Sequence, residues 1–169
     1  MPTPANLERL YDEHAQALFA FVLNLLRHEA DTRDVLQELF VKVARNPRLL
    51  EGVKDPRGFL LRLAHNLAID LMRRRAARNR NERLAAETVA LFAPTDDPDE
   101  KVFAGTLAEA LGELPPEQRA VVHLKLWERL AFEQIAAVLD ISPNTAASRY
   151  RYAIDKLRAR LRPIYDEIQ

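Results

Sequence analysis

Prolines placed directly before apolar stripes with helical spacing divide this chain into helices. Proline is tolerated at the first helical position because the N–H that it lacks has no partner there, and an aspartate or serine before it can cap free backbone N–H groups. With only four glycines in 169 residues, a loop-rich β fold is disfavoured and an all-α protein is predicted. The start signals are Asp55-Pro56, Asp97-Pro98, Pro115-Pro116 and Ser142-Pro143.

Three amphipathic helices are predicted in the first part of the chain. Apolar residues recur on one helical face as far as Arg27, again from about Asp31 to Arg45, and again in the stretch that ends with the arginine run Arg73–Arg75. We therefore expect residues 1–84 to form one small three-helix domain.

An acidic linker is predicted after this domain. The helical pattern weakens there, and Ala93–Pro98 is rich in prolines and acids, so we assign residues 85–97 to the linker. Residues 98–169 are expected to form a second domain of four helices, in which the last two helices make a helix-turn-helix.

The charge of the chain is unevenly distributed. The formal net charge is zero, which is unusual for a protein that binds nucleic acid through lysine and arginine. Residues 1–84 nevertheless carry +4, residues 85–117 carry −7 and residues 118–169 carry +3. Two basic segments flank an acidic one, so nucleic-acid binding by either domain stays open.

The helix-turn-helix has a polar outer face. Apolar residues of Ala131–Leu139 repeat at helical spacing, Asp140 and Ile141 break the pattern, and a second helix begins at Ser142 or Pro143. Amides, hydroxyls and a guanidinium lie opposite the apolar stripe, and such groups read base edges and phosphates. An ordinary helical hairpin with a solvated face is the alternative. The outer positions are Asn144, Ala147, Ser148, Arg151, Tyr152 and Asp155.

An acidic patch is predicted on the second helix. Asp34, Gln37 and Glu38 share one surface by their spacing of three and four, beside Asp31 at the helix start. A generic solvated face is one alternative, since Asp31 also suits the positive end of the helix dipole. A metal site is disfavoured, because no facing ligands are identifiable.

A polar stripe is predicted on the third helix. Arg62, Asn66, Asp70 and Arg73 follow one another at spacings of four, four and three. As an alternative, Asp70 and a neighbouring arginine could form an ion pair on an exposed helix, which would explain why these two charged residues lie in the stripe. Asn66 is harder to explain in that way, because asparagine is a mediocre helix former whose amide suits base-edge recognition.

Several classes of protein are disfavoured. The chain has no cysteine, so it has no disulfide or thiolate metal site, which fits a reducing cytoplasm. The four histidines lack ligand spacing, and no phosphate loop, nucleophile elbow or catalytic triad is evident, so neither an enzyme nor a bound metal or cofactor is expected. Without a signal sequence or an apolar run near 18 residues, we expect a cytoplasmic protein that does not insert into membranes.

Taken together, the blocks resemble a bacterial RNA polymerase sigma factor of the extracytoplasmic-function (ECF) type, in the sigma-70 family. Asp31–Val43 is similar to the family's helix that binds the coiled coil of the polymerase clamp, and Phe59–Arg75 is similar to the helix that engages the minus-ten promoter element. Glu113–Leu161 resembles the domain whose recognition helix enters the major groove at the minus-thirty-five element. The resemblance covers nearly the whole chain.

The resemblance implies roles for individual residues. Those that would bind core polymerase are Asp34, Gln37 and Glu38, beside Asp31. The minus-ten residues would be Asn66, Asp70, Arg73 and Arg74, with Arg62 on the same stripe. The minus-thirty-five residues would be Asn144, Thr145, Ala147, Ser148, Arg149, Arg151 and Tyr152.

Four positions depart from the family pattern. Phe59 replaces a more usual tryptophan, Ala146 replaces a common valine, and Ala147 replaces a common basic residue. Asp140 stands where the turn often has glycine, which raises a question about the backbone, because aspartate enters the left-handed region at some cost.

The implied function is that of a non-catalytic initiation factor. It would bind core polymerase through the clamp coiled coil and the flap, and would direct polymerase to promoter DNA by reading two elements. An anti-sigma factor is a further implied partner, although no residue identifies one. Two alternatives stay open: a helix-turn-helix repressor or activator that does not act as a sigma subunit, and an adaptor protein that needs the acidic patch but not the DNA-reading face.

Overall fold

The computed structural model describes residues 4–78, 92 and 94–168, and every element within these ranges is a helix. The prediction of an all-α fold is confirmed, whereas most of the predicted linker, residues 85–97, lies outside the described part of the chain. No helix in the described ranges is both long enough and apolar enough to cross a membrane. The elements are α1 (Pro4–Leu26), α2 (Glu29–Arg45), a 3₁₀ helix (Pro47–Leu50), α3 (Pro56–Arg78), α4 (Pro98–Glu113), α5 (Pro116–Leu126), α6 (Phe132–Leu139) and α7 (Pro143–Ile168).

The helix starts follow the predicted capping signals. The side chains of Asp55, Asp97 and Ser142 each accept a hydrogen bond from a backbone N–H two or three residues later, at 3.1, 2.9 and 3.1 Å. Helix α2 begins two residues earlier than predicted, because His28 Nδ1 accepts from the Asp31 backbone N–H at 3.2 Å and so caps the helix. The predicted connection after α2 contains the short 3₁₀ helix.

The buried apolar side chains form two clusters. In the first half, residues 4–78, Phe21 of α1, Leu39 of α2 and Leu60 of α3 are fully buried against one another. In the second half, residues 94–168, a separate cluster forms between α4, α5 and α7. Its buried members are Ala110, Leu111, Leu114, Val122, Ala153 and Leu157.

The two halves also pack against each other. Val121 and Leu124 of α5 and Ile135 of α6 belong to the same buried cluster as Phe21 and Leu61 of the first half. All six residues from 119 to 124 are buried, as expected for a helix that has partners on every side. We call the surface where α1 and α3 meet α5 and α6 the interhalf interface.

Polar contacts accompany this apolar packing at the interhalf interface. Arg119, only 5% exposed, donates to the Leu25 carbonyl of α1 at 2.7 Å and to the Leu114 carbonyl at 3.1 Å. It thereby satisfies carbonyl groups near the ends of α1 and α4, which lack a partner within their own helices. Arg57 of α3 donates to the Glu128 carboxylate at 2.6 Å.

Candidate polymerase-binding and DNA-binding surfaces

The acidic patch on α2 comprises three exposed residues. Asp34, Gln37 and Glu38 face solvent along one side of the helix. Asp31 does not share that surface, because it is only 5% exposed and accepts a hydrogen bond from Arg75 Nη2 at 2.5 Å. The buried Asp31 therefore joins the start of α2 to the end of α3, and only the other three residues are open to a partner.

The polar stripe of α3 faces solvent along its whole length. The opposite side of the helix carries the buried residues Leu60, Ala64 and Leu67, so the stripe points away from the core. Arg75, which follows the stripe, instead turns towards Asp31. The exposed residues are the four of the stripe, Arg62, Asn66, Asp70 and Arg73, and the neighbouring Arg74.

The turn before α7 contains Asp140, the aspartate that stands where the family often has glycine. Asp140 adopts φ 56° and ψ 51°, the left-handed conformation that the family's glycine would enter freely. In this position its backbone N–H and that of Ile141 both donate to the Ala136 carbonyl at the end of α6. Helix α7 then starts from the cap at Ser142, so the helix-turn-helix forms as predicted.

The predicted minus-thirty-five residues differ in their exposure. Asn144, Arg151 and Tyr152 are exposed, and the Arg151 guanidinium lies over the Tyr152 ring at 5.6 Å from its centroid. The Thr145 hydroxyl accepts a hydrogen bond from Ser142 Oγ at 2.8 Å. The half-buried residues are Thr145, Ala147, Ser148 and Arg149.

His65 of α3 has a lowered pKa. Burial lowers the pKa of His65, a hydrogen bond with Asn66 raises it, and the positive charges of Arg149 and Arg73 lower it further. Arg149 belongs to the predicted minus-thirty-five set, whereas Asn66 and Arg73 belong to the predicted minus-ten set. Helix α3 packs against α6, the first helix of the helix-turn-helix, and α6 packs against α7.

Several residues at the interhalf interface were not singled out by the sequence. His123, one of the four histidines without ligand spacing, is 5% exposed and shares a 3.1 Å hydrogen bond with Asn24 of α1. Burial lowers the pKa of His123 to about 4 and that of Arg119 to about 10. The available signal was their spacing, since Arg119 and His123 lie four residues apart and flank the apolar run Ala120–Val122. Among the described residues, no group of three or more histidines and acids is placed to hold a metal ion.

Two family models match the chain in the predicted order. Residues 10–78 match the model described as Sigma-70 region 2. Residues 104–157 match the model described as Sigma-70, region 4. The second match includes α6, the turn and the first part of α7, and ends within α7.

Similar proteins cover nearly the full length of the chain. The ECF RNA polymerase sigma factor SigL of Mycobacterium tuberculosis is 33% identical over 165 residues, which span 95% of this chain and 91% of SigL. The RNA polymerase sigma factor CarQ of Myxococcus xanthus is 33% identical over 153 residues, or 89% of this chain and 86% of CarQ.

Solved structures share the fold. The sigma factor RpoE of Bartonella quintana, in complex with the anti-sigma factor NepR, matches with a TM-score of 0.72 at 21% identity, over 87% of this chain and 91% of RpoE. CnrH, in complex with the cytosolic domain of CnrY, matches with a TM-score of 0.66 at 24% identity, over 95% of this chain and 90% of CnrH.

Proposed function

The chain belongs to the sigma-70 family as an ECF-type RNA polymerase sigma factor, and we propose which of its surfaces bind polymerase and which bind promoter DNA. The protein is a transcription initiation factor that binds core RNA polymerase and directs it to promoters with minus-ten and minus-thirty-five elements. The observation that carries this function is the match of both sigma-70 regions, in order, on one chain. We assign residues 1–84 to polymerase and minus-ten binding, and residues 98–169 to minus-thirty-five binding.

Helix α2 is the proposed contact with the polymerase clamp. The exposure of Asp34, Gln37 and Glu38 on one side of α2 supports this role. Asp31 is buried against Arg75, so we assign it the task of holding α2 in place beneath the patch. The second half has an apolar groove of about 840 Å³ between α4 and α7, lined by Leu107 and Ile154 among others, and we propose this groove for the polymerase flap.

Helix α3 and helix α7 are the proposed DNA readers. The four stripe residues and the neighbouring Arg74 are exposed, which supports minus-ten binding by Arg62, Asn66, Asp70, Arg73 and Arg74. For the minus-thirty-five element, Asn144, Arg151 and Tyr152 are open to a DNA groove, with Thr145, Ala147, Ser148 and Arg149 beside them. Each good base contact contributes about 1–3 kcal/mol, so selectivity requires both helices to act together.

Promoter binding requires the interhalf interface to open. The two elements lie about 25 base pairs apart, which is about 85 Å along the duplex at 3.4 Å per base pair. A compact chain of 169 residues has a radius of gyration of only about 15 Å, and here α6 of the helix-turn-helix packs against α3. We therefore propose that the closed arrangement is the free factor and that the halves separate on polymerase.

Regulation and location follow from the same proposal. RpoE and CnrH, which share this fold, were solved in complexes with NepR and with the cytosolic domain of CnrY, and we propose an anti-sigma partner for this chain too. The factor would act in the cytoplasm, where polymerase and promoters meet. Its role is non-catalytic, since polymerase performs the chemistry.

Reconstituted transcription with core polymerase and genomic DNA tests the proposal. Start sites that share two upstream elements are expected with the unaltered protein. Asp34→Lys with Glu38→Lys should abolish polymerase binding and transcription by charge reversal, whereas Asp12→Lys, at an exposed site on α1, should leave both unchanged. A protein that binds specific DNA but never supports a start site would be a plain helix-turn-helix regulator.

A further inference from the structure

The apolar core stops before the end of α3. Leu71 is the last residue of α3 that packs against the cluster around Phe21, and none of residues 69–77, all of which the structure describes, is buried. Arg73 and Arg74, which we assign to the minus-ten element, lie beyond Leu71. The core therefore does not reach the part of the helix that carries these two arginines.

A charged contact takes over where the apolar packing ends. The Arg75 guanidinium donates through Nη2 to Asp31 Oδ1 at 2.5 Å, and its Nη1 pairs with Asp31 Oδ2. Two parallel bonds of this kind fix the orientation of both groups as well as their distance. The Asp31 side chain is only 8% exposed, and a carboxylate buried to this degree requires a charged partner. The pair joins the first turn of α2 to the last turn of α3.

The same contact separates Arg75 from its neighbours in the arginine run. Arg73 and Arg74 are exposed, whereas both Nη groups of Arg75 are engaged by Asp31. A DNA phosphate would have to replace two charge-assisted bonds in order to bind Arg75. Arg73 and Arg74 are therefore open to DNA, and Arg75 is held away from it.

Asp31 also lies directly before the acidic patch of α2. Asp34 follows it by three residues, so Asp34 lies one turn further along the same side of the helix. Asp34 is exposed and Asp31 is buried. A partner bound at the patch would thus hold the helix whose first turn fixes the end of α3.

We propose that Asp31 is a positioning residue for minus-ten recognition. Through Arg75 it fixes the end of α3 on α2, so that polymerase bound to α2 presents Arg73 and Arg74 to the DNA. Neither Asp31 nor Arg75 touches polymerase or promoter. The fixing of α3 is a property of the chain alone, whereas its effect on promoters rests on the proposed function.

Hydrogen exchange in the free chain tests whether the pair fixes α3. Asp31→Asn and Arg75→Gln should each speed amide exchange in residues 69–77 about tenfold, because the helix end opens locally once the pair is lost. Arg33→Gln breaks an exposed pair with Glu29 in the same part of α2 and should leave this exchange unchanged. Circular dichroism checks that each variant is folded. Unchanged exchange in both variants would overturn the proposal, whether or not the chain acts on promoters.

Promoter binding by the holoenzyme tests the effect on minus-ten recognition. The probe is a promoter fragment found by mapping start sites, and its affinity is measured at several salt concentrations. Asp31→Asn and Arg75→Gln should each weaken binding about tenfold, and the double variant should bind no more weakly than either, because the two side chains act as one unit. Arg75→Gln should leave the slope of log affinity against log salt unchanged, whereas Arg73→Gln, which removes a direct phosphate contact, should reduce it by about 0.7–0.9.

Opposite results would assign the two residues to other roles. A reduced salt slope in Arg75→Gln would make Arg75 a DNA contact, and loss of core polymerase binding in Asp31→Asn but not in Arg75→Gln would make Asp31 a polymerase contact. Either result overturns the proposal. If the unaltered chain did not bind core polymerase, the proposed function and the effect on promoters would both fail, while hydrogen exchange would still decide whether Asp31 fixes the end of α3.

Discussion

Helix α5 has two buried faces that differ in chemistry. Towards α4 and α7 it contributes Val122 to an apolar cluster that includes Leu111 and Leu157. Towards α1 it also contributes Val121 and Leu124, but Arg119 and His123 lie beside them and form hydrogen bonds with the first half. One face resembles the interior of a domain, and the other resembles an interface between domains.

This difference indicates which contact can open. Both faces bury apolar side chains whose exposure to water is not compensated, but only the face towards α1 also buries polar side chains that water can solvate. Arginine, histidine and asparagine side chains are solvated again when an interface separates, so the net contribution of each hydrogen bond is small. We therefore expect the second half to persist as a unit while the interhalf interface opens.

The largest effect is expected from the apolar face. Leu157→Ala removes a side chain that is 5% exposed in the core of the second half and should lower the free energy of unfolding by about 3 kcal/mol, through lost burial and the cavity left behind. Urea denaturation followed by circular dichroism measures it. If this variant opened the interhalf interface and left the free energy of unfolding unchanged, the two faces of α5 would not differ as described.

A smaller effect is expected from Arg119→Met. The variant loses the charge-assisted hydrogen bond to the Leu25 carbonyl, which crosses the interhalf interface, and should shift the equilibrium towards the open form by about 2 kcal/mol. Because the chain has no cysteine, dyes on Ala30→Cys and Ala159→Cys report the separation of the halves by energy transfer. Arg158→Met, at an exposed position of α7, is the matched control and should leave the energy transfer unchanged.

Acidification should open the interface through His123. Burial lowers its pKa from 6.5 to about 4, so the closed form binds fewer protons than the open form between these values, and its stability falls as the pH falls through this window. The ratio of open to closed molecules should rise about tenfold between pH 7.5 and pH 5.5. The same energy-transfer pair measures it, and His123→Phe should remove most of the pH dependence. An equal response in that variant would assign the effect to other groups.

The smallest effect is expected from the ion pair between Arg57 and Glu128. The Arg57 side chain is 42% exposed, so solvent screens the pair, and Arg57→Gln should favour opening by only about 0.5–1 kcal/mol. High salt should reduce the difference between this variant and the unaltered chain. Arg33→Gln breaks a more exposed pair within α2 and should not change the energy transfer at all.

Local signals made most of the fold predictable. Helix boundaries depend on capping groups, proline and apolar spacing within a few residues, and Asp55, Asp97 and Ser142 all cap as expected. The candidate surfaces are also local, because residues three and four apart on a helix share a face. The stripe on α3 and the patch at Asp34, Gln37 and Glu38 are exposed for that reason.

Contacts between distant parts of the chain were not predictable in the same way. Asp31 belongs to the acidic face by its spacing, but 44 residues separate it from Arg75, the partner beside which it is buried. The bond between Asn24 and His123 joins residues 99 positions apart. Whether such side chains meet depends on how two whole surfaces fit, which periodicity along one helix does not reveal.

The covalent connection between the halves has a consequence for the strength of the interhalf interface. Only 20 positions separate Arg78 from Pro98, and a short tether gives the surfaces that it joins an effective concentration of about 1 mM. Surfaces with a dissociation constant of about 0.1 mM would then be about nine-tenths associated within one chain. The same surfaces on separate molecules at micromolar concentration would be almost entirely dissociated. An interface of that strength would be sufficient to keep the free factor closed, and the binding energy of polymerase and promoter would then need to supply only about 1.4 kcal/mol to open it.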